Sequence, residues 1–156
     1  MELNENAMTP ASYHQIQADI DALTADRPRR IKRLADAAAL GDRSENAEYS
    51  AAKRDLRWLE SRLHYLNKLQ QYAEVITPQT TDHVELGRTF TVMFDADPTN
   101  TATYELVGKF EANLDEGKVS FDSPLGRAVL DRSVGATQTV AAPNGNYQVT
   151  ITNLAL

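Results

Sequence analysis

The 156-residue chain contains no cysteine and only three histidines, His14, His64 and His83, far apart in sequence. A disulfide framework, a thiolate zinc site and a cysteine nucleophile are thereby excluded, and a histidine metal cluster is not expected. No apolar run approaches the roughly 18 residues of a spanning helix, so no membrane partner is expected. The acidic opening Met1–Asn6 lacks the basic-then-apolar order of a secretory signal, which points to a cytoplasmic protein. Internal repeats and low-complexity tracts are missing too.

Charge is present but unevenly placed. The net charge of −6 argues against indiscriminate nucleic-acid binding. Between Arg27 and Lys68, however, eleven basic residues face six acids, whereas Thr77–Leu156 holds five basic residues and ten acids. A cationic segment tied to an acidic one implies two surfaces with two tasks.

Two periodicities divide the chain in the same way. Thr9 is placed to cap a helix and Pro10 to occupy its first position. Tyr13, Ile16, Ile20 and Leu23 then line one face; Pro28 predicts a kink or break near Asp26–Pro28, with the stripe resuming out of phase at Ile31, Leu34 and Ala38. Beyond Gly41, a 3-4-3-4 series (Tyr49, Ala52, Leu56, Leu59, Leu63, Leu66, Gln70, Ala73) forms a narrow seam suited to one antiparallel partner helix. A helix from about Asn46 to Ala73 would be roughly 40 Å long, which predicts a protruding hairpin turning at Gly41–Ser44.

From about Val84 the period becomes two. Strands are expected over Arg88–Phe94, Ala102–Val107, Lys118–Phe121, Thr137–Ala141 and Tyr147–Thr152, with a short helix over Pro124–Leu130 and a type I′ hairpin turn at Asn144-Gly145. The expected architecture is α+β. An antiparallel coiled-coil arm occupies residues 1–76 with an acidic tip at 41–49, a linker follows at 77–83, and an antiparallel β domain fills 84–156.

The tip, Gly41-Asp42-Arg43-Ser44-Glu45-Asn46-Ala47-Glu48-Tyr49, admits two readings. Asp42 and Glu45 have capping-box spacing. They also place carboxylates together at an exposed apex, where they could complete a Mg²⁺ site belonging to a partner, since Mg²⁺ takes one or two carboxylates plus phosphates and water.

The segment GDRSENAEYSAAK, Gly41–Lys53, resembles the Gre transcript-cleavage factors (GreA/GreB, transcription elongation factors) of bacterial RNA polymerase. Met8-Thr9, Arg27-Pro28, Tyr104-Glu105-Leu106-Val107-Gly108 and Val119-Ser120-Phe121-Asp122-Ser123-Pro124 extend the resemblance in order over nearly the whole chain. The resemblance implies an FKBP-like C-terminal domain and an arm that enters the polymerase secondary channel. Asp42 and Glu45 match the family's essential acids. They would hold a weakly bound Mg²⁺ of the polymerase and orient a water that cuts backtracked RNA, so that elongation resumes. The chain would thus be an accessory factor rather than an enzyme, and is not expected to bind Mg²⁺ tightly on its own.

Ser44 caps the helix or positions that water. Arg43, Lys53, Arg54, Arg57 and Arg62 would form a cationic track facing RNA or polymerase, as in the GreB branch, or a solvated face paired with Asp36, Asp55 or Glu60. Asp122, Ser123 and Pro124 match the positions that grip the polymerase rim, and Ser123 would also cap the short helix. Prolyl isomerase activity is not implied, because fold is not function. The departures are Asn113 for an acid, Gly126 for alanine, Arg29 after Pro28, and no basic residue at Ala38. A monomer is expected. The competing readings are a channel-binding inhibitor without cleavage activity and a freestanding coiled-coil interaction protein.

Overall fold

The computed structural model describes residues 3–41 and 46–156. Two compact units make up the chain: the helical segment Tyr13–Tyr72, and a β unit in which the residues up to Ser12 join Ala73–Leu156. The chain's first residues therefore belong with its second half, and not with the arm as a boundary at 76 would have it.

The helical unit is made by α1 (Pro10–Ala38), from Tyr13 onward, and α2 (Ala47–Tyr72). Thr9 starts α1 as its sequence predicts: the Ser12 amide donates to Thr9 Oγ1 at 3.2 Å, satisfying one orphan N–H of the first turn. Along α2 the heptad seam is realised, with Ala52, Leu59 and Leu66 buried and Leu56, Leu63 and Gln70 half-buried. Full burial of Leu59 and of Leu66 contributes about 1.5–3 kcal/mol each. Cross-helix bonds join Gln17 to Gln70, Arg27 to Glu60, Arg30 to Asp55 and Arg33 to Glu48. One partner advances as the other recedes, so the helices run antiparallel.

The expected break at Pro28 does not occur. α1 is continuous through it, and its stripe keeps phase: Ile16, Ile20 and Ala37 are buried, while Ile31 is 39% exposed. In place of Ile31 the seam is filled by Arg30 and Asp26. Arg30 donates to Asp26 at 2.6 Å and to Asp55 at 3.1 Å, and Asp26 also accepts from Arg29 at 2.7 Å. Hydrogen bonds from Arg29 and then Arg30 pull the Asp26 carboxyl down to about 2. Proline removes one backbone hydrogen bond; side-chain bonds spanning the same turn and a long interhelical seam hold the helix across that loss. Arg29, a departure from the family pattern, has its role here.

The β unit carries a five-stranded sheet in the order β5-β4-β3-β7-β6, with β3 (Thr89–Phe94), β4 (Thr101–Val107), β5 (Lys118–Ser120), β6 (Thr137–Ala142) and β7 (Gly145–Ala155). The short helix α3 (Pro124–Val129) packs on it. Phe90, Val92, Leu106, Val119, Val129, Val140, Val149 and Ile151 form its core. Two expectations are corrected. The sheet is not wholly antiparallel, because β5 pairs parallel with β4; the intervening 3₁₀ turns, Lys109–Glu111 and Leu114–Glu116, carry the chain back before it re-enters the sheet. The last hairpin turns at Pro143-Asn144, with Ala142 opposite Gly145. Proline fixes φ near −65°, which a type I′ turn forbids, so the positive φ of +127° falls on Gly145 at the strand start.

Ahead of α1, β1 (Ala7–Met8) pairs parallel with β2 (Glu74–Val75). Gly108 makes room for it: a Cβ there would collide with the Ala7 carbonyl oxygen. Thr9 Oγ1 donates to Glu111 at 2.9 Å, anchoring the same segment. Residues 77–83, expected as a linker, are pinned to the β unit by Arg88, which is 3% exposed. Its guanidinium donates to the carbonyls of Gln79 at 2.7 Å, Thr81 at 3.1 Å and Ala155 at 3.0 Å.

Gly126 sits in the first turns of α3 against Ser120. A Cβ there would overlap the Ser120 carbonyl oxygen and press on the Phe121 backbone. Gly126→Ala is therefore expected to destabilise the β unit by about 1–3 kcal/mol despite alanine's better helix propensity. Urea unfolding of the variant against the parent measures this, and an unchanged or raised midpoint would contradict it.

Candidate functional site

The helix after the tip begins at Ala47, and its cap is Asn46. Asn46 Oδ1 accepts from the Tyr49 amide at 3.1 Å, while Asn46 Nδ2 donates to the Ala37 carbonyl at 2.7 Å. One asparagine thus closes the start of α2 and ties it to the end of α1. The capping box read at Asp42 and Glu45 is not what starts α2. Asp42, Arg43, Ser44 and Glu45 themselves lie outside the described residues. The sequence offers a signal for the cap, since asparagine immediately before a helical run is a preferred N-cap, although the acids three residues apart offer a competing one.

The cations of the two helices fare differently. On α1, Arg27, Arg29, Arg30, Lys32 and Arg33 all pair with acids. Those pairs engage Asp36, Asp55 and Glu60, the same acids that would otherwise neutralise α2. Lys53, Arg54, Arg57 and Arg62 on α2 are exposed, and none forms an ion pair among the described residues. The solvated, self-paired reading therefore fits α1, while α2 keeps an unneutralised cationic face.

The second candidate surface is the turn Asp122-Ser123-Pro124, and it is built from within. Ser123 Oγ accepts from the Gly126 amide at 3.1 Å, capping α3, and donates to the Ser120 carbonyl at 2.7 Å. Pro124 is exposed in the first turn. The Ser120 hydroxyl donates to the Asp122 carboxylate, and Lys109 Nζ lies 3.4 Å from it. The Ser120 hydrogen bond, and then Lys109, hold the Asp122 carboxyl below the usual aspartate range. Ser120 stands in the same motif as Asp122, but its hydrogen bond to that carboxylate is not legible from the motif; Lys109 is distant in sequence, and only the fold brings it to Asp122. Beside the turn opens a groove of about 470 Å³ lined by Tyr104, Leu114, Lys118, Ser123, Pro124 and Tyr147 among others. Asn113, another of the four departures, accepts from the Asp115 amide at 3.1 Å and shapes the loop at that groove.

The sign of the Asp122 contribution follows from its depressed pKa. It is present above the ordinary aspartate pKa and is lost as pH falls through the lowered value. Asp122→Asn is expected to lower stability near neutral pH and to have no remaining effect in acid. Urea midpoints of parent and variant from about pH 7 to about pH 3 test this; a difference independent of pH would contradict it.

Among the described residues no group of three or more His, Asp or Glu side chains could hold a metal ion, and no helix is long and apolar enough to cross a membrane.

The chain belongs to the GreA/GreB family of transcription elongation factors. Residues 6–75 match the family's N-terminal domain (transcription elongation factor, N-terminal) and residues 79–155 its C-terminal domain (transcription elongation factor, GreA/GreB, C-term). Transcription elongation factor GreA 1 of Lactiplantibacillus plantarum is 54% identical over 151 residues, covering 97% of this chain and 96% of that protein. Transcription elongation factor GreA of Rhodospirillum rubrum is 38% identical, covering 92% and 94%. Among solved structures, GreA factor homolog 1 of Thermus thermophilus matches at 22% identity with a TM-score of 0.44, covering 96% of this chain and 98% of that one. The whole-chain relatives mark a GreA-type transcription elongation factor.

Proposed function

We propose that the chain binds bacterial RNA polymerase, inserts its helical hairpin into the secondary channel, and stimulates cleavage of backtracked RNA so that arrested complexes resume elongation. The hydrolysis itself belongs to the polymerase, in the cytoplasm; this chain lends groups to it. The observation that carries the reading is the Asn46 cap: α2 is started by Asn46, so Asp42 and Glu45 are not required for that task and their carboxylates are available for a partner. Family membership supplies the partner class.

Asp42 and Glu45 would hold Mg²⁺ jointly with the polymerase, two carboxylates being the share of ligands this ion takes from a protein. When bound there, the ion would supply Lewis-acid activation of water and charge stabilisation at the scissile phosphate. This chain's own parts have simpler duties. Asp42 and Glu45 present anionic oxygens, Ser44 steadies the tip or a water, and Arg43, Lys53, Arg54, Arg57 and Arg62 face the RNA or the channel. Asp122, Ser123 and Pro124 dock on the rim.

The test is RNA cleavage in stalled polymerase complexes, using the parent chain, Asp42→Asn and Glu45→Gln at limiting Mg²⁺. Stimulation by the parent alone supports the reading. Slowed nucleotide addition with no cleavage by the parent would instead identify a channel-binding inhibitor.

A further inference from the structure

We propose that the outer face of α2 is a binding track for single-stranded RNA, in which Trp58, Tyr65 and Tyr72 supply stacking surfaces and the cations beside them engage phosphates. The three aromatics stand seven residues apart. At 100° per residue they fall within about 40° of one another around the helix, on the side away from the Ala52–Leu59–Leu66 seam, and span about 21 Å along it. Large aromatic rings are usually buried, yet here 56% of Trp58, 45% of Tyr65 and 61% of Tyr72 are exposed. Arg54, Arg57, Arg62 and Lys68 flank the row, and none has an ion-pair partner among the described residues. Two guanidinium groups already stack on it: Arg62 lies 5.1 Å from the Tyr65 ring centre and Arg30 5.7 Å from that of Trp58.

The chemistry selects the occupant. A partner helix needs roughly two apolar residues in every seven along its seam, and this face offers one; Arg54, Ser61 and Lys68 hold the alternate positions. A second copy of the chain would bring like-charged rows together. Single-stranded RNA satisfies both features at once, because unpaired bases stack on aromatic rings and guanidinium planes while phosphates meet arginine and lysine. The inference deepens the RNA-facing part of the function proposed above and extends it beyond the cationic patch toward the far end of α2. It does not depend on the tip acids.

Trp58 is the sole tryptophan of the chain, so its emission reports on this face directly. The full-length protein, without polymerase, is titrated with a single-stranded adenosine oligoribonucleotide of about 12 nucleotides at low salt, a length within the usual range of single-strand sites. Saturable quenching of Trp58 is expected. The Tyr65→Ala/Tyr72→Ala double variant should raise Kd by about tenfold or more, and Tyr65→Phe/Tyr72→Phe should restore parental binding, since stacking needs no hydroxyl. Both pairs are surface changes, and far-UV circular dichroism checks that the helices persist.

No saturable change in emission together with no binding of labelled RNA by anisotropy would overturn the proposal. So would equal affinity for a duplex of the same length, or displacement by polyglutamate as effective as by RNA, which would indicate an acidic protein partner. Binding that survives the tyrosine truncations but is lost with Arg54→Ala/Arg57→Ala would remove the stacking track and leave the cationic patch standing. Because no polymerase is present, failure here is separate from failure of transcript cleavage.

Discussion

Asp42→Asn and Glu45→Gln are each expected to reduce stimulated transcript cleavage by about 100-fold or more, with polymerase binding nearly unchanged. Both substitutions keep side-chain size and exchange one anionic oxygen for an amide nitrogen, which cannot ligate a cation. Loss of even an outer-shell partner of a metal site costs about 10–100-fold, and a direct ligand should cost no less. The proposed docking turn, Asp122-Ser123-Pro124, lies in the other compact unit and is held by its own bonds to Ser120 and Gly126. Affinity should therefore survive. Combining the two tip substitutions should add little, because groups that share one ion fail as a unit. Cleavage rates and competition binding, measured side by side, decide the matter; full cleavage by both variants would end the proposal for the tip.

Arg88→Ala is expected to lower the stability of the β unit by about 4 kcal/mol. The guanidinium is almost wholly enclosed and has no carboxylate partner among the described residues; its bonds go to backbone carbonyls and to the Thr81 hydroxyl. A hydrogen bond to a charged group contributes about 1.5–3 kcal/mol. Truncation removes the guanidinium donor from the carbonyls of Gln79, Thr81 and Ala155 together, Gln79 keeping the Thr81 amide, and leaves a cavity where the side chain lay. Arg88→Lys should recover only part of the loss, because a single ammonium cannot reproduce the planar fork that reaches both the 79–81 segment and the last strand. Thermal unfolding with a probe in the β unit measures both variants. A second readout is protease cutting between residues 77 and 83, which should accelerate in Arg88→Ala if the segment is released.

Agreement between pattern and structure was closest where one local rule acted alone. The α2 seam needed only apolar residues at heptad spacing, and Thr9-Pro10 needed only the geometry of a first turn. The strands of the β unit were legible for the same reason, each to within a few residues at its ends. Misreadings arose where two local rules competed. Pro28 predicts a break, but Asp26, Arg29 and Arg30 span the same turn and keep the stripe in phase, so Ile31 faces outward. Asn144-Gly145 predicts a turn, but Pro143 fixes the backbone one position earlier. The candidate site divides likewise. Its acids and cations could be picked out from residue type and spacing, whereas Asn46 as the cap, Lys109 and Ser120 around Asp122, and the unpaired state of the α2 cations depend on which side chains meet.

The amino-acid order alone determined that this is an arm of two long helices followed by a β unit, since periodicities of 3.5 and 2 are properties of one segment at a time. It also determined the family, because a contiguous tip motif survives without reference to shape. Only the tertiary structure decided that the first residues and the 77–83 segment belong to the β unit, and that the α1 cations are paired, several of them with acids of α2, while the α2 cations are left without ion pairs among the described residues. Those outcomes depend on contacts between residues tens of positions apart, where burial and charge pairing are settled by the packed chain as a whole.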